Sequence, residues 1–321
     1  MFERLAPSRK AWHSPAMQTH RYHLFSEHLK RRFDGRVHKI SVDAGFGCPN
    51  RNDGRAGAGC IFCDPGGSGA VGIERELSVR EQLEAGKEVM TRKYKARKFM
   101  AYFQPFSNTY APREKLEKVY AEALAVPDVV GVAVGTRPDC LSDEALEVLA
   151  DLNRKTYLWL ELGLQSIHNA SLRTLGRGHD YRVFLEAFEK ARSYGLRVCV
   201  HVILGLPGED REMMLATADE MARLKVDGIK LHLLHILDGT QLGEMYRQGE
   251  IEVLEQQEYV DIVTDVLARL HPDTLIHRLT GDGPRATLLA PMWSLNKWEV
   301  LNAINAELER RGISQGDVCR S

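Results

Sequence analysis

The stretch VVGVAVGTRPDCLSDEALEVLADLNRKTYLWLELGLQ, residues 129–165, holds one complete strand–helix–strand unit, and its reading sets the fold. Val129–Thr136 and Tyr157–Leu164 are nearly continuous apolar runs, the pattern of strands buried on both faces. Between them, Asp143 and Glu144 place carboxylates where the first turn of a helix attracts negative charge. Four more runs flank this unit: Val37–Ala44, Lys98–Phe103, Arg197–Leu204 and Gly228–Ile236. Amphipathic segments separate them. Leu116, Val119, Tyr120, Ala123 and Leu124 recur at helical spacing, and Ser78 with Glu81 has the form of a capping box.

Six strand–helix units in order predict an α/β fold with a parallel sheet, open or curled into an incomplete barrel. Right-handed crossovers put every strand C-terminus on one rim, where active sites of such folds collect. The unusual residues fall there: Gly45–Cys63 after the first strand, Arg137–Asp139 after the third, Gln165–Ser166 after the fourth and Gly205–Pro207 after the fifth. From about Glu252 the pattern changes. Val260, Val263, Val266, Leu267 and Leu270 mark one helix, and Leu275–Leu279 reads as an extra strand. Trp298, Leu301, Ile304 and Leu308 mark another helix, stopped by Gly312. This stretch reads as an extension that closes the barrel.

With 43 Lys+Arg against 44 Asp+Glu in 321 residues, the chain as a whole advertises no polyanion partner. A composition 44% hydrophobic and 27% charged excludes a mainly disordered chain. No apolar run approaches the ~20 residues of a membrane-spanning helix. The opening MFERLAPSRKAWH lacks the apolar core of a secretory signal, so the expected location is cytoplasmic, with no membrane partner. Disulfides are rare there. Cys48, Cys60 and Cys63 crowd together, and such a cluster points to metal ligation or redox chemistry.

The cysteines lie in AGFGCPNRNDGRAGAGCIFCDPGGSGA, residues 44–70, with eleven residues between Cys48 and Cys60 and a tight Cys60–Cys63 pair. A short pair that bites one site, a flexible arm for the third thiolate and glycine for backbone freedom suit an iron–sulfur cluster. Three thiolates on four irons leave one iron open, a catalytic arrangement. Zinc is the competing reading, with His38, Asp64 or Cys140 completing a tetrahedral site.

Segments along nearly the whole chain carry a resemblance: HRYHLFSEHLKRRF (20–33), SVDAGFGCPNRNDG (41–54), AYFQPFSNTYAP (101–112), GTRPDCL (135–141), ELGLQSIHNASLRTLGRGHD (161–180), HVILGLPGE (201–209), KLHLLHILDGT (230–240), HRLTGDGPR (277–285) and WSLNKWEVLNAI (293–304). Together they resemble the radical S-adenosylmethionine (SAM) enzymes, in the branch that includes the catalytic subunit of Elongator. The chain is more similar still to the bacterial stand-alone YhcC-like family, which shares the eleven-residue spacing. The resemblance implies a partial (β/α)6 barrel over residues 37–240, a basic N-terminal arm over 1–36 and a substrate-side C-terminal extension over 241–321. It implies a [4Fe-4S] cluster on Cys48, Cys60 and Cys63, with SAM on the fourth iron. Reductive cleavage would give a 5′-deoxyadenosyl radical that abstracts hydrogen from substrate, fed by an electron donor such as flavodoxin or ferredoxin.

The resemblance also places Phe62 beside the adenine and puts Glu161, Gln165 and Arg177 in the SAM pocket; plain packing of Phe62 and a Glu161–Arg177 ion pair are the alternatives. Arg137 and Asp139 read as a rim salt bridge. Gln104, Asn108, Thr109 and Tyr110 stand where radical SAM enzymes usually keep a Gly-Gly-Glu-type segment, which this chain lacks. His201, His232 and His235 read as strand residues that either pack in the core or face the lumen. His277, Arg278, Asp282, Arg285, Asn296 and Lys297 are the candidates for substrate recognition, against a solvated loop.

Charge is uneven along the chain. Arg4, Arg9, Lys10, Arg21, Lys30, Arg31, Arg32, Arg36 and Lys39 stand against three acids in residues 1–40, and Arg92, Lys93, Lys95, Arg97 and Lys98 form a second cluster. Trp12, Tyr22, Phe25 and Phe33 are interleaved, a pattern that suits RNA phosphates and bases. A charged helix face is the plainer reading. Relatives in this branch modify the wobble uridine of tRNA; the stand-alone family is associated with converting a 5-carboxymethylaminomethyl group to aminomethyl. That is the expected step here. A radical enzyme acting on a small metabolite or protein side chain, and a non-catalytic zinc-stabilised RNA-binding protein, are the rivals.

Overall fold

The computed structural model describes residues 20–52, 59–67, 75–281 and 283–319. Helix α1 (Phe25–Arg32) leads into β1 (Val37–Val42) and the single turn α2 (Pro49–Asn52). Then α3 (Val79–Tyr94), β2 (Lys98–Phe103), α4 (Arg113–Leu124), β3 (Val129–Thr136), α5 (Asp143–Lys155) and β4 (Tyr157–Gln165) alternate. Helices α6 (Asn169–Thr174) and α7 (Tyr181–Ser193) precede β5 (Val198–Leu204), α8 (Arg211–Arg223) and β6 (Gly228–Leu233). The chain ends with β7 (Ile236–Leu237), α9 (Gln241–Arg247), α10 (Gln256–Arg269), β8 (Leu275–Arg278), β9 (Leu288–Ala290) and α11 (Lys297–Arg311).

One seven-stranded sheet runs β1-β2-β3-β4-β5-β6-β8, parallel throughout, and curls into an open half-barrel. Successive strand residues face opposite sides. On the outer side, Leu158, Leu160 and Leu162 of β4 and Val198, Val200 and Val202 of β5 pack with Leu146, Leu149, Phe184 and Phe188 of the helices. On the lumen side, Tyr157, Trp159 and Cys199 cluster with Met100, Tyr102 and Ala133. Phe25 of α1 plugs the foot of the lumen, stacked on His277 at 3.7 Å and edge-on to Trp159 at 5.3 Å.

Local sequence signals set the helix ends. Ser78 and Glu81 form a reciprocal capping box, and Gly312 ends α11 at φ +65°, a left-handed conformation that costs glycine little.

Three features differ from the sequence pattern. The run Gly228–Ile236 breaks after Leu233, and Ile236–Leu237 instead pairs antiparallel with β9. The extra strand expected at Leu275–Leu279 forms over Leu275–Arg278 and pairs with β6, so the sheet has seven strands where the (β/α)6 expectation has six. Trp298 does not join the apolar stripe of α11; Val300, Ile304 and Leu308 are buried there, and Trp298 is 75% exposed.

Helix α10 packs on both α8 and α11. Leu267→Ala, which empties a fully buried site in α10, is expected to lower stability by about 2–5 kcal/mol. Urea unfolding followed by far-UV circular dichroism and tryptophan fluorescence should move both signals together. An early, separate loss of one signal would mark the extension as an independent unit.

Candidate functional site

The rim at the strand C-termini is built by side chains that hold backbone. The Asp43 carboxylate accepts the Gly45 N–H at 2.9 Å and pairs with Arg75 at 2.6 Å. Gln82 of α3 brackets the Asp43 backbone, accepting its N–H and donating to its carbonyl, both at 2.8 Å. This anchors the loop at its departure from β1. The other end of the loop is clamped by Arg51, which donates to the carbonyls of Cys63 at 2.9 Å, Asp64 at 2.6 Å and Pro65 at 3.2 Å.

Cys60 is the buried centre of this rim. Arg177 Nη1 donates to its Sγ at 3.4 Å, and Asn50 Nδ2 reaches the same sulfur at 3.5 Å. Asn50 also donates to the carbonyls of Gly176 at 2.8 Å and Arg177 at 3.1 Å. Arg177 Nη2 donates to the Gly163 carbonyl of β4 at 2.6 Å. A Cβ at Gly163 would stand 2.9 Å from Gln165 Nε2 and 3.1 Å from Arg177 Nη2, so glycine is what lets both side chains in. Gln165 itself sits at φ +79°, an uncommon conformation for a side chain with a Cβ, at the mouth of the barrel.

Arg137 and Asp139 form the expected rim salt bridge, bidentate at 2.9 and 2.8 Å, and Arg137 donates on to the Arg177 carbonyl at 2.6 Å. Burial opposes the charge of Arg137, but Asp139, Cys48 and Cys60 outweigh it and raise its pKa. Arg137 Nη1 and Arg177 Nε are buried with no hydrogen-bond partner. Two of the three loop thiols, Cys48 and Cys60, thus lie within electrostatic reach of guanidinium groups that keep unused N–H bonds, which fits an anionic thiolate-bound cluster. Among the described residues no three His, Cys, Asp or Glu side chains converge as a formed metal site. His38, a proposed fourth zinc ligand, lies at the foot of β1, stacked on Tyr94 at 5.2 Å and so at the end opposite the loop. Burial pushes the Cys140 thiol up to about 12.

Below the rim, the lumen holds a buried ion network. Glu161, fully buried, accepts from Lys39 at 2.8 Å, from Lys230, and from His201 Nε2 at 2.9 Å; Lys230 also donates to the Tyr102 hydroxyl at 2.9 Å. Burial alone would raise the Glu161 carboxyl, but Lys230, Lys39 and His201 hold it well below the usual range. Burial pulls Lys230 down to about 8 against the opposing pull of Glu161. It pulls His201 down to about 4, with Lys230 adding to the effect.

The candidate residues thus separate. Glu161 and Arg177 do not pair with each other: one serves the lumen, the other the rim. Phe62 is half-buried against the cluster of Ile61, Leu175 and Ile203. Asn108 and Thr109 turn inward to tie β2 to β3, through the Gly135 carbonyl at 2.8 Å and Thr136 at 2.7 Å. Ser41 Oγ donates to Gln104 Oε1 at 3.1 Å, and Tyr110 is exposed. His201 and His232 face the lumen with rings 5.2 Å apart, and Gly281 closes to 3.0 Å of the His235 ring for a would-be Cβ. His277 is buried against Phe25 and Trp159, Arg278 is half-buried at the level of Lys230, and Arg285 is exposed. Asn296 caps α11 by accepting the Glu299 N–H, and Lys297 begins that helix; Asp282 lies outside the described residues. Asn50, Gly163 and Lys230 escape the sequence reading, and Lys39, counted there with the basic arm, turns into the lumen to Glu161 instead. The lysine and histidine alternating through GIKLHL were the available signal, since only one face of a strand can hold both.

A parallel half-barrel with a cysteine loop on its C-terminal rim defines a class of SAM-dependent radical enzymes, and this chain belongs to the radical SAM superfamily, whose model matches residues 44–221; the Radical_SAM C-terminal domain matches 226–310. Within the superfamily the chain is 48% identical to YtqA of Bacillus subtilis, covering 92% of each chain. It is 35% identical to YhcC of Escherichia coli, covering 90% of this chain and 93% of that one. A tRNA uridine(34) acetyltransferase of Methanocaldococcus jannaschii is 25% identical over 79% of this chain, which spans 53% of that protein. The solved Elp3 structure of Methanocaldococcus infernus shares the fold, with a TM-score of 0.66 at 18% identity, covering 87% of this chain and 64% of that one. No helix among the described residues is long and apolar enough to cross a membrane.

The buried histidines set an acid limit. His28, His179 and His201 are each drawn by burial from 6.5 to about 4 in the folded protein. As pH falls from about 6.5 toward 4 the unfolded chain gains protons that the folded chain refuses, so stability present above that window is lost within it. Thermal melting between pH 7 and 4.5 should show this decline, and His201→Gln should flatten part of it. An unchanged slope would remove His201 from the effect.

Proposed function

We propose that the chain holds a [4Fe-4S] cluster on Cys48, Cys60 and Cys63, binds SAM against it, and acts on the wobble uridine of tRNA, converting a 5-carboxymethylaminomethyl group to aminomethyl. The setting of Cys60 carries this reading: a buried rim sulfur that accepts from Arg177 and Asn50, beside two guanidinium groups with unused donors. Bound there, cluster and SAM would supply the 5′-deoxyadenosyl radical that takes hydrogen from the carboxymethyl carbon, primed by an electron from a flavodoxin- or ferredoxin-type donor; SAM is the net two-electron oxidant, water hydrolyses the oxidised C–N bond, and the two carbons leave as glyoxylate.

The chain's own residues do the positioning. Arg51 fixes the backbone beyond Cys63, while Asn50 and Arg177 hold Cys60 to the end of β4. Gln165 and Phe62 are the proposed partners of the SAM nucleoside, with Ile61, Leu175 and Ile203 keeping water from that side. Arg137 and Arg177 are the donors for its carboxylate. Glu161, committed to Lys39 and Lys230, is proposed as support for the pocket floor rather than a ribose contact.

Two observations support tRNA as substrate. One is the similarity to a protein named for its action on tRNA uridine 34. The other is that the basic clusters meet in space. Lys98 donates to the Phe33 carbonyl and Val37 pairs with Lys98, which brings exposed Lys30, Arg31 and Arg32 close to exposed Arg92, Lys93, Lys95 and Arg97. Their surface is at the strand N-terminal foot. Strands of this length set the two ends ~20–30 Å apart, so a tRNA engaging both would lie along the side of the barrel.

Anaerobic reconstitution with iron and sulfide, then SAM and dithionite, is expected to yield 5′-deoxyadenosine from wild type and none from Cys60→Ala. Equal silence from a fully iron-loaded wild type would end the catalytic reading. Replacing Lys30, Arg31 and Arg32 with alanine should weaken tRNA binding and lower the salt slope by about 2–3. Unchanged binding and turnover would return the substrate to a small molecule.

A further inference from the structure

Among the described residues, the lumen carries more positive charge than its buried carboxylate answers. Lys39 and Lys230 both bond Glu161, and Arg278 adds a third cation whose charge is felt by Tyr102, His201, Lys230 and His232. No acid among the described residues forms an ion pair with Arg278, and Glu161 is the only carboxylate among the described residues that pairs with the two lysines. The neighbouring histidines add no negative charge. An uncompensated charge taken out of water costs several kcal/mol, so a cationic excess in a lumen is a preformed seat for an anion.

The placement is specific. Strand register sets Arg278 of β8 level with Lys230 of β6, Lys230 level with His201 of β5, and His201 level with Gly163 of β4. Gly163 is the residue whose carbonyl anchors Arg177, and Arg177 reaches Cys60, so this cationic layer lies directly below the Cys60 rim. The His232 Nε2 atom is buried there without a partner. The layer is not sealed, because the Lys39 and His201 side chains remain 23% and 17% exposed.

We infer that Arg278, with Lys230 and the His201–His232 pair, forms the binding site for a carboxylate of the substrate. Resting on the tRNA reading above, that carboxylate is the end of the carboxymethylaminomethyl side chain. The site then separates substrate from tRNA product by charge, because the carboxylate departs with the two-carbon acid and the aminomethyl group left on the tRNA has none. A site arranged to pair one polar group rejects an analogue that lacks it.

Wild type, Arg278→Gln and Arg278→Lys, each as reconstituted holoenzyme, would be titrated with anticodon stem-loops bearing the 5-carboxymethylaminomethyl group or its methyl ester. Wild type is expected to bind the acid at least about tenfold tighter than the ester, a difference of about 1.4 kcal/mol. Arg278→Gln should erase that preference and Arg278→Lys should keep part of it. A parallel titration with sarcosine, an N-alkylglycine free of nucleic acid, tests the seat apart from the tRNA reading. Sarcosine bound by wild type and weakened tenfold by Arg278→Gln supports the seat even if no stem-loop is turned over. A stem-loop preference that survives Arg278→Gln, or sarcosine binding that Arg278→Gln leaves unchanged, overturns it even if tRNA proves to be the substrate.

Discussion

A carboxylate taken out of water into a protein interior costs several kcal/mol unless its partners are in place. Glu161 meets that condition with contributions from four strands: its own β4, Lys39 from β1, His201 from β5 and Lys230 from β6. These residues are far apart in sequence, and only curvature of the sheet brings β1 and β6 to the same carboxylate. The interaction is therefore a test of closure. A flatter sheet would strand charges on both sides of the lumen. Tyr102 adds its hydroxyl to Lys230, and Phe25 seals the layer beneath, so the polar ring is bounded by aromatic faces.

The rim depends on that closure. Gly163, two residues beyond Glu161 on the same face of β4, offers its carbonyl to Arg177, and Arg177 reaches Cys60. The segment Gly176–Asp180 lies against α2 through Asn50, at a position where Gly178 has φ +73° and a Cβ would come within 2.4 Å of Asn50 Oδ1. Ionic interactions in the lumen and backbone bonds at the rim are thus successive layers of one strand. On the proposed reading, a substrate carboxylate held by the lower layer would lie close to the chemistry of the upper one.

The basic surface sits at the other end. Its residues come from the C-terminal turns of α1 and α3, where Lys and Arg also complement the helix dipole. Part of this charge is explained by helix stability. The part contributed by Lys95 and Arg97, beyond the helix end, is not.

Elements whose signals are local are legible in the order of residues alone. Continuous apolar runs specify parallel strands, Ser78 with Glu81 specifies a cap, and the glycine-rich spacing of Cys48, Cys60 and Cys63 marks the loop, because each depends on neighbours a few residues away. Even the Arg137–Asp139 bridge was legible at that range. Tertiary structure decided the rest. It placed Leu275–Arg278 in the main sheet, left Trp298 in solvent, and gave Glu161 to Lys39 and Lys230 instead of Arg177. Those outcomes follow from which strands become neighbours when the sheet curls, and a one-dimensional pattern carries the face of each side chain but not the identity of what it meets across the lumen.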